Sequence, residues 1–224
     1  MIEKFSNIFD GLQAAYGTYK INGRDPKGKA TGKATVVKEP RTTELWEAHL
    51  AGKQSIGIIP INESNACKWG CIDIDEYNFD HQALIEKLQA AKLPLVVCRS
   101  KSGGAHVFLF VQDFIPAKDM QETLKRLAVA LGYGACEIFP KQIVLHLERG
   151  DVGNFLNTPY FDSENGLRYA FNKDGTAATI EEFFDLYDEN VQTHEQVLAL
   201  QVEEDPDLPL KDGPPCLQML CKNG

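Results

Sequence analysis

The stretch KWGCIDIDEY, residues 68–77, decides the fold, because it fixes one strand and the two faces on either side of it. Successive side chains of a strand point to opposite faces, so Ile72 and Ile74 turn toward a core while Asp73 and Asp75 converge on the other face. At about 3.3 Å rise per residue their Cα atoms stand about 6.6 Å apart, close enough for both carboxylates to hold one divalent ion or bridge two. Carboxylate oxygens are the hard ligands that Mg2+ or Mn2+ requires. A lone D-x-D pair is weak evidence, since a polar strand end facing water has the same pattern.

Downstream, RSKSGGAHVFLF, residues 99–110, sets a polar turn between apolar strands. Gly103 and Gly104 let backbone N–H groups approach oxyanions, and Arg99, Ser100, Lys101, Ser102 and His106 add side-chain donors, a set suited to a triphosphate. An ordinary hairpin turn explains the glycines. It does not explain a strand-mounted histidine in the same chain as a paired-carboxylate strand.

Working outward, SIGIIPI reads as a strand, preceded by a short helix in TTELWEAHLAG that Gly52 closes. Ile2, Phe5, Ile8, Phe9, Leu12, Ala15 and Tyr16 recur at helical spacing and predict an N-terminal helix ending near Gly17. Asp80 is placed to cap a helix bearing Leu84, Ile85 and Leu88, and LPLVVCRS and AHVFLFVQ then read as strands. Met120, Leu124, Leu127 and Leu131 form the stripe of a second helix that Gly132 stops, followed by a strand in CEIF. This order predicts an α+β fold, a mainly antiparallel sheet with helices on one face and the other face free for a ligand cleft. Past residue 150, RYAF reads as a strand, Thr179 and Glu182 as a capping box, and a further helix starts from Thr193. The run VEEDPDLPLKDGPP reads as a linker.

The 224 residues, 43% hydrophobic, suffice for one large globular unit, and no stretch approaches the roughly 20 apolar residues of a membrane span. The start lacks the basic and apolar regions of a signal peptide, so a cytoplasmic location is expected. The six cysteines, at 67, 71, 98, 136, 216 and 221, have no repeated zinc-type spacing and read as buried thiols at the first pair. The net charge of −9 is unevenly distributed: residues 174–210 hold 11 acidic and no basic side chains. Residues 20–41 instead hold 7 basic side chains (Lys20, Arg24, Lys27, Lys29, Lys33, Lys38, Arg41) against Asp25 and Glu39. Such an arm suits a phosphate backbone, and a solvated loop has the same composition.

Taken in order, WGCIDIDEY, RSKSGGAHVFLF, EIFPKQ and GNFLNTPYF resemble the archaeo-eukaryotic primase superfamily, most closely the primase-polymerases of phages and mobile elements. The resemblance covers roughly residues 40 to 165 and implies an RRM-like primase fold. It also implies metal-dependent nucleotidyl transfer from NTP or dNTP on single-stranded DNA, with two Mg2+ or Mn2+ ions. In its terms Asp73 and Asp75 are metal ligands, and Ser102 and His106 contact the incoming nucleotide. Glu137 is the choice for the third carboxylate, with Glu148 and Asp151 competing. Lys141 is a candidate for triphosphate or template. Asn154, Asn157 and Tyr160 are candidates to line the cleft, with Phe161 or Tyr160 stacking on a base, and Phe155 and Leu156 belong to the core. The implied organisation is a catalytic domain over 1–173 with the basic arm, an acidic helical appendage over 174–203, and a linker over 204–224. That linker is expected to lead to a helical or helicase region in a natural protein continuing past Gly224.

Two readings from other classes compete. One is a catalytically silent single-strand-binding module for replication initiation, using the basic arm and an aromatic cleft. The other is a D-x-D glycosyltransferase, which needs neither the S-G-G-x-H turn nor a basic arm.

Overall fold

The computed structural model describes residues 1–24 and 30–202, with side chains placed outside 20–31. Lys27, Lys29, Cys216, Cys221 and the linker over 204–224 lie outside the described residues. Among the described residues, eight strands form two antiparallel four-stranded sheets. The first has the order β5-β6-β4-β7, from β4 (Ala66–Ile74), β5 (Val96–Arg99), β6 (Ala105–Pro116) and β7 (Glu137–Phe139). The second has the order β2-β1-β3-β8, from β1 (Tyr16–Arg24), β2 (Ala30–Val37), β3 (Ile56–Ile58) and β8 (Leu156–Asn157).

Strand alternation divides the first sheet between two cores. Ile72, Ile74, Val107, Leu109 and Ile138 pack under α3 (His81–Ala90) and α4 (Ala117–Ala130), the latter through Met120, Leu124 and Leu127. Trp69, Cys71, Phe108, Phe110 and Phe139 face the other way, into an aromatic core with Phe5, Phe9, Tyr160 and Phe183. That second face was expected to be free. Instead it is covered by the second sheet, by α1 (Ile2–Ile8), by α2 (Thr43–Leu50) and by α5 (Ile180–Asn190), because these elements carry apolar rings that bury only there. Phe9 is the hub, with ring centroids 5.4 Å from Phe108, 5.7 Å from Phe110 and 5.8 Å from Trp69 and Phe183.

The local signals act as expected at several ends. Asp80 accepts a hydrogen bond from Ala83 N at 3.0 Å, and Thr179 and Glu182 form a full capping box. Gly132 follows α4 with φ +83°. The acidic segment packs inward: Ile180 and Phe183 enter the aromatic core, and Val197 of α6 (His194–Ala199) enters the core under α4.

Three expectations fail. The N-terminal helix stops at Ile8, because Gly11 lies so close to the Ile59 carbonyl that no side chain fits, and Leu12 N donates to Ile59 O at 2.9 Å; Leu12, Ala15 and Tyr16 are then buried from extended chain. Where the basic arm is described it is largely paired strand, β1 with β2 from Tyr16–Val37 to Arg24–Ala30 with one register shift between Ile21 and Gly23, as the β-branched and aromatic residues of YGTYKI and TVV favour. In RYAF only single bridges form, Cys98 with Ala170 and Phe171 with Ala177, while the short strand β8 carried no periodic signal at all.

Candidate active site

One row of residues crosses the first sheet: Cys98 on β5 faces His106 on β6, His106 faces Asp73 on β4, and Asp73 faces Glu137 on β7. Directly opposed residues share a face with Cβ atoms about 5 Å apart, so register alone brings His106, Asp73 and Glu137 together. His106 Nε2 lies 3.4 Å from Asp73 Oδ1, with side-chain exposures of 8% and 22%. Glu137 is the most open of the three, and its Oε2 pairs with Lys141 Nζ at 2.6 Å.

Asp75 follows the last residue of β4, and its Oδ1 accepts a hydrogen bond from Ser102 Oγ at 2.8 Å. Ser102 Oγ is 3.1 Å from Ser100 Oγ. The turn itself closes through Ser100 N donating to Gly104 O at 2.9 Å and Gly103 N donating to Ser100 O at 3.2 Å. Gly103 has φ +97°, and a Cβ at Gly104 would run into the Ile74 carbonyl, so the two glycines let the turn sit directly on the end of β4. Lys101 extends across to the second sheet, its Nζ 3.0 Å from the centre of the Tyr19 ring.

The carboxylates compete unequally for the third position. Glu148 is engaged with His146 at 3.3 Å and Arg149 at 3.7 Å, and Asp151 accepts from Gly153 N at 3.0 Å; neither is in the Asp73 row. Among the described residues no three His, Cys, Asp or Glu side chains are drawn together as a ready ligand cluster. Instead each carboxylate has turned to a protein donor: Asp73 to His106, Asp75 to Ser102 and Glu137 to Lys141. The donor set still fits a divalent ion, being carboxylate oxygens on adjoining strand positions that are open to solvent in part.

The candidate nucleic-acid contacts are scattered. Arg41 is buried, its side chain 2% exposed and paired with Asp10 at 2.8 Å, so it holds the fold and is not a surface for DNA. Tyr160 is likewise a core residue, 2% exposed, its hydroxyl donating to Ala178 O at 3.0 Å and accepting from Ala170 N at 3.2 Å; it neither lines a cleft nor stacks on a base. Lys38 donates to Gly150 O at 2.9 Å, Lys33 is exposed on β2, Asn154 is exposed and bonds Gln142, and Asn157 pairs with Gly57 in the second sheet. The thiols are out of play: burial pushes those of Cys67, Cys71 and Cys98 up, and at Cys136 burial and the charges of Glu76 and Asp73 do the same.

Two residues escaped the sequence reading. His81, at the start of α3, has Nε2 3.0 Å from Gly104 O and its ring 4.6 Å from that of Phe171, so it braces the turn from behind. Arg168 donates from Nη1 to Ser55 Oγ at 2.9 Å and lies 5.0 Å from the Phe161 ring. Its one sequence signal is a basic residue entering the apolar run RYAF with no acidic neighbour inside it.

Residues 14–200 match the family model described as TOTE conflict system, Archaeo-Eukaryotic Primase domain. No curated protein matches the chain. Among solved structures, the AEP domain of the cyanophage S-2L primase-polymerase is similar at 12% identity and a TM-score of 0.43, over 83% of this chain and 95% of that one.

Proposed function

This chain belongs to the archaeo-eukaryotic primase domain family of TOTE conflict systems, and from that premise we propose that it is a nucleotidyltransferase that builds a strand from NTP or dNTP on a single-stranded DNA template. The observation that carries the reading is the row His106–Asp73–Glu137 with Asp75 and the Ser100–Gly104 turn at the same sheet end. Asp73, Asp75 and Glu137 would hold the divalent ions. When bound, two such ions lower the pKa of the attacking 3′-hydroxyl and stabilise charge at the α-phosphorus as pyrophosphate leaves. Ser102, Lys101 and the backbone of Gly103 and Gly104 donate to the triphosphate, and His106, whose Nε2 faces Asp73, orients that carboxylate. The exposed Lys33 side of the hairpin is the proposed template surface. A helicase region in the same natural chain is the proposed partner for unwinding.

A binding module without turnover is the second reading, favoured by the pairing of each carboxylate with a protein donor. Primer synthesis on single-stranded DNA, with Mg2+ or Mn2+ and labelled NTP or dNTP, tests both. Products that disappear in Asp73→Ala support the enzyme; DNA binding without any incorporation supports the module.

A further inference from the structure

Arg168 is a half-buried cation without an anionic partner. Its guanidinium has the Ser55 hydroxyl and the Phe161 ring, and among the described residues it forms no ion pair. Burial lowers its pKa to about 10, which leaves it cationic at neutral pH. A charge withdrawn from water without a counter-charge is costly, and proteins tolerate it where a charged ligand completes the pair.

Its position says which ligand. Residues 168–171 run antiparallel beside β5, with Arg99 N donating to Tyr169 O at 2.8 Å, Phe171 N donating to Val97 O at 2.9 Å, and Cys98 facing Ala170. Side chains alternate along extended chain, so Arg168 shares the face of Ala170, which is the face of Cys98, His106 and Asp73. Arg99 also donates from Nη1 to Leu167 O at 3.3 Å. On the second sheet, Ser55 and Tyr19 lie one residue beyond the paired Thr18 and Ile56, and Tyr19 is the residue under Lys101. By register Arg168 therefore stands in line with Ser100 of the Ser100–Gly104 turn, on the face that carries His106 and Asp73, with Lys101 reaching over to the neighbouring Tyr19.

We propose that Arg168, seated on Phe161 and Ser55, is a phosphate-binding residue that takes the triphosphate of the incoming nucleotide. The assignment deepens the nucleotidyltransferase reading and rests on it for the identity of the nucleotide. The planar fork of a guanidinium suits two phosphate oxygens at once, and stacking on Phe161 holds that fork in one plane before the ligand arrives. A purely structural Arg168 would serve the fold equally well as an uncharged side chain of similar length.

The test is binding of inorganic tripolyphosphate and of dATP, without metal, to the wild type, Arg168→Gln and Arg168→Lys, with a short oligo-dT as a separate arm. Tenfold or greater loss of tripolyphosphate and dATP affinity in Arg168→Gln, partial recovery in Arg168→Lys and unchanged oligo-dT binding are expected. Equal affinities in wild type and Arg168→Gln, loss confined to oligo-dT, or no tripolyphosphate binding by the wild type overturns the proposal. Should Arg168→Gln melt far below the wild type, the arginine side-chain Nε–H resonances of the wild type decide: tripolyphosphate shifts the one absent from Arg168→Lys, or the proposal fails. A wild type that binds dATP through Arg168 yet incorporates nothing would sink the enzyme reading while leaving this site intact.

Discussion

Asp73 and Glu137 face each other across β4 and β7, and the lysine that pairs with Glu137, Lys141, comes from one turn beyond the same strand. The pairing sets Glu137 apart from Glu148 and Asp151, whose side chains serve their own loop. Glu137→Gln is expected to lower nucleotide incorporation by about 10²-fold or more, whereas Glu148→Gln and Asp151→Asn change it less than about threefold. Steady-state incorporation by the three variants, side by side, checks this; loss in Glu148→Gln or Asp151→Asn with full activity in Glu137→Gln would reassign the third carboxylate.

Removing either carboxylate of the D-x-D pair should be more severe. Asp73→Ala or Asp75→Ala is expected to reduce incorporation by about 10³-fold or more while leaving the melting temperature near that of the wild type, since both side chains lie at a sheet end and not in a core. Thermal unfolding and primer extension on the same preparations separate the two effects.

The phosphate-side turn has its own signature. Gly104→Ala forces a methyl group against the Ile74 carbonyl, so the turn must lift from β4 and take Ser102 away from Asp75. The expected results are about 1–3 kcal/mol of destabilisation and a raised KM for nucleotide. A variant with wild-type KM would show that the close seating of the turn is irrelevant to the ligand.

The aromatic core should be the main support of the two-sheet arrangement. Phe9→Ala removes the hub of rings from α1, β4, β6 and α5, with an expected cost of about 3–5 kcal/mol in urea unfolding. A cost below about 1 kcal/mol would mean that the two sheets hold together without it.

One buried histidine ties stability to pH. His49 Nδ1 accepts from Ile56 N at 3.1 Å and its Nε2–H donates to Pro159 O at 2.8 Å, and burial lowers its pKa from 6.5 to about 4, with the Arg168 charge adding to the effect. The unfolded chain therefore binds this proton before the folded one does. Stability from this group is complete above pH about 6.5 and is lost as pH falls toward 4, on the order of 3 kcal/mol in all. Urea unfolding at pH 7 and pH 5, with His49→Gln as the variant whose pH dependence is flatter, measures it.

What the sequence makes legible follows from period. Alternation in CIDID, the strand in AHVFLFV, the stripe of α4 and the caps at Asp80 and Thr179 depend on neighbours in the chain, and all are found as expected. The strand that carries Glu137 was legible in the same way, as a short apolar run just before a turn. The misreadings are tertiary. The burial of Arg41 by Asp10 and of Tyr160 by the carbonyl of Ala178 depends on partners distant in sequence, and a basic or aromatic residue looks the same in sequence whether it faces water or a core. The second sheet was missed although SIGIIPI was read as a strand: the start of β1 shares apolar residues with the helical stripe of the N-terminus, the Gly- and Lys-rich run of β1 and β2 reads as an arm, and β8 is only two residues long, too short for a period to declare itself.

Because His106, Asp73 and Glu137 occupy a single cross-section of the sheet, their relative placement is insulated from the length of the connections between them. Insertions in the turns before β7 or after α3 can accumulate without disturbing it. A single-residue deletion inside β7 has the opposite character: it would turn Glu137 toward the helices and present an isoleucine to Asp73. Length variation among relatives should therefore concentrate in the connections and, where it enters these strands at all, arrive two residues at a time.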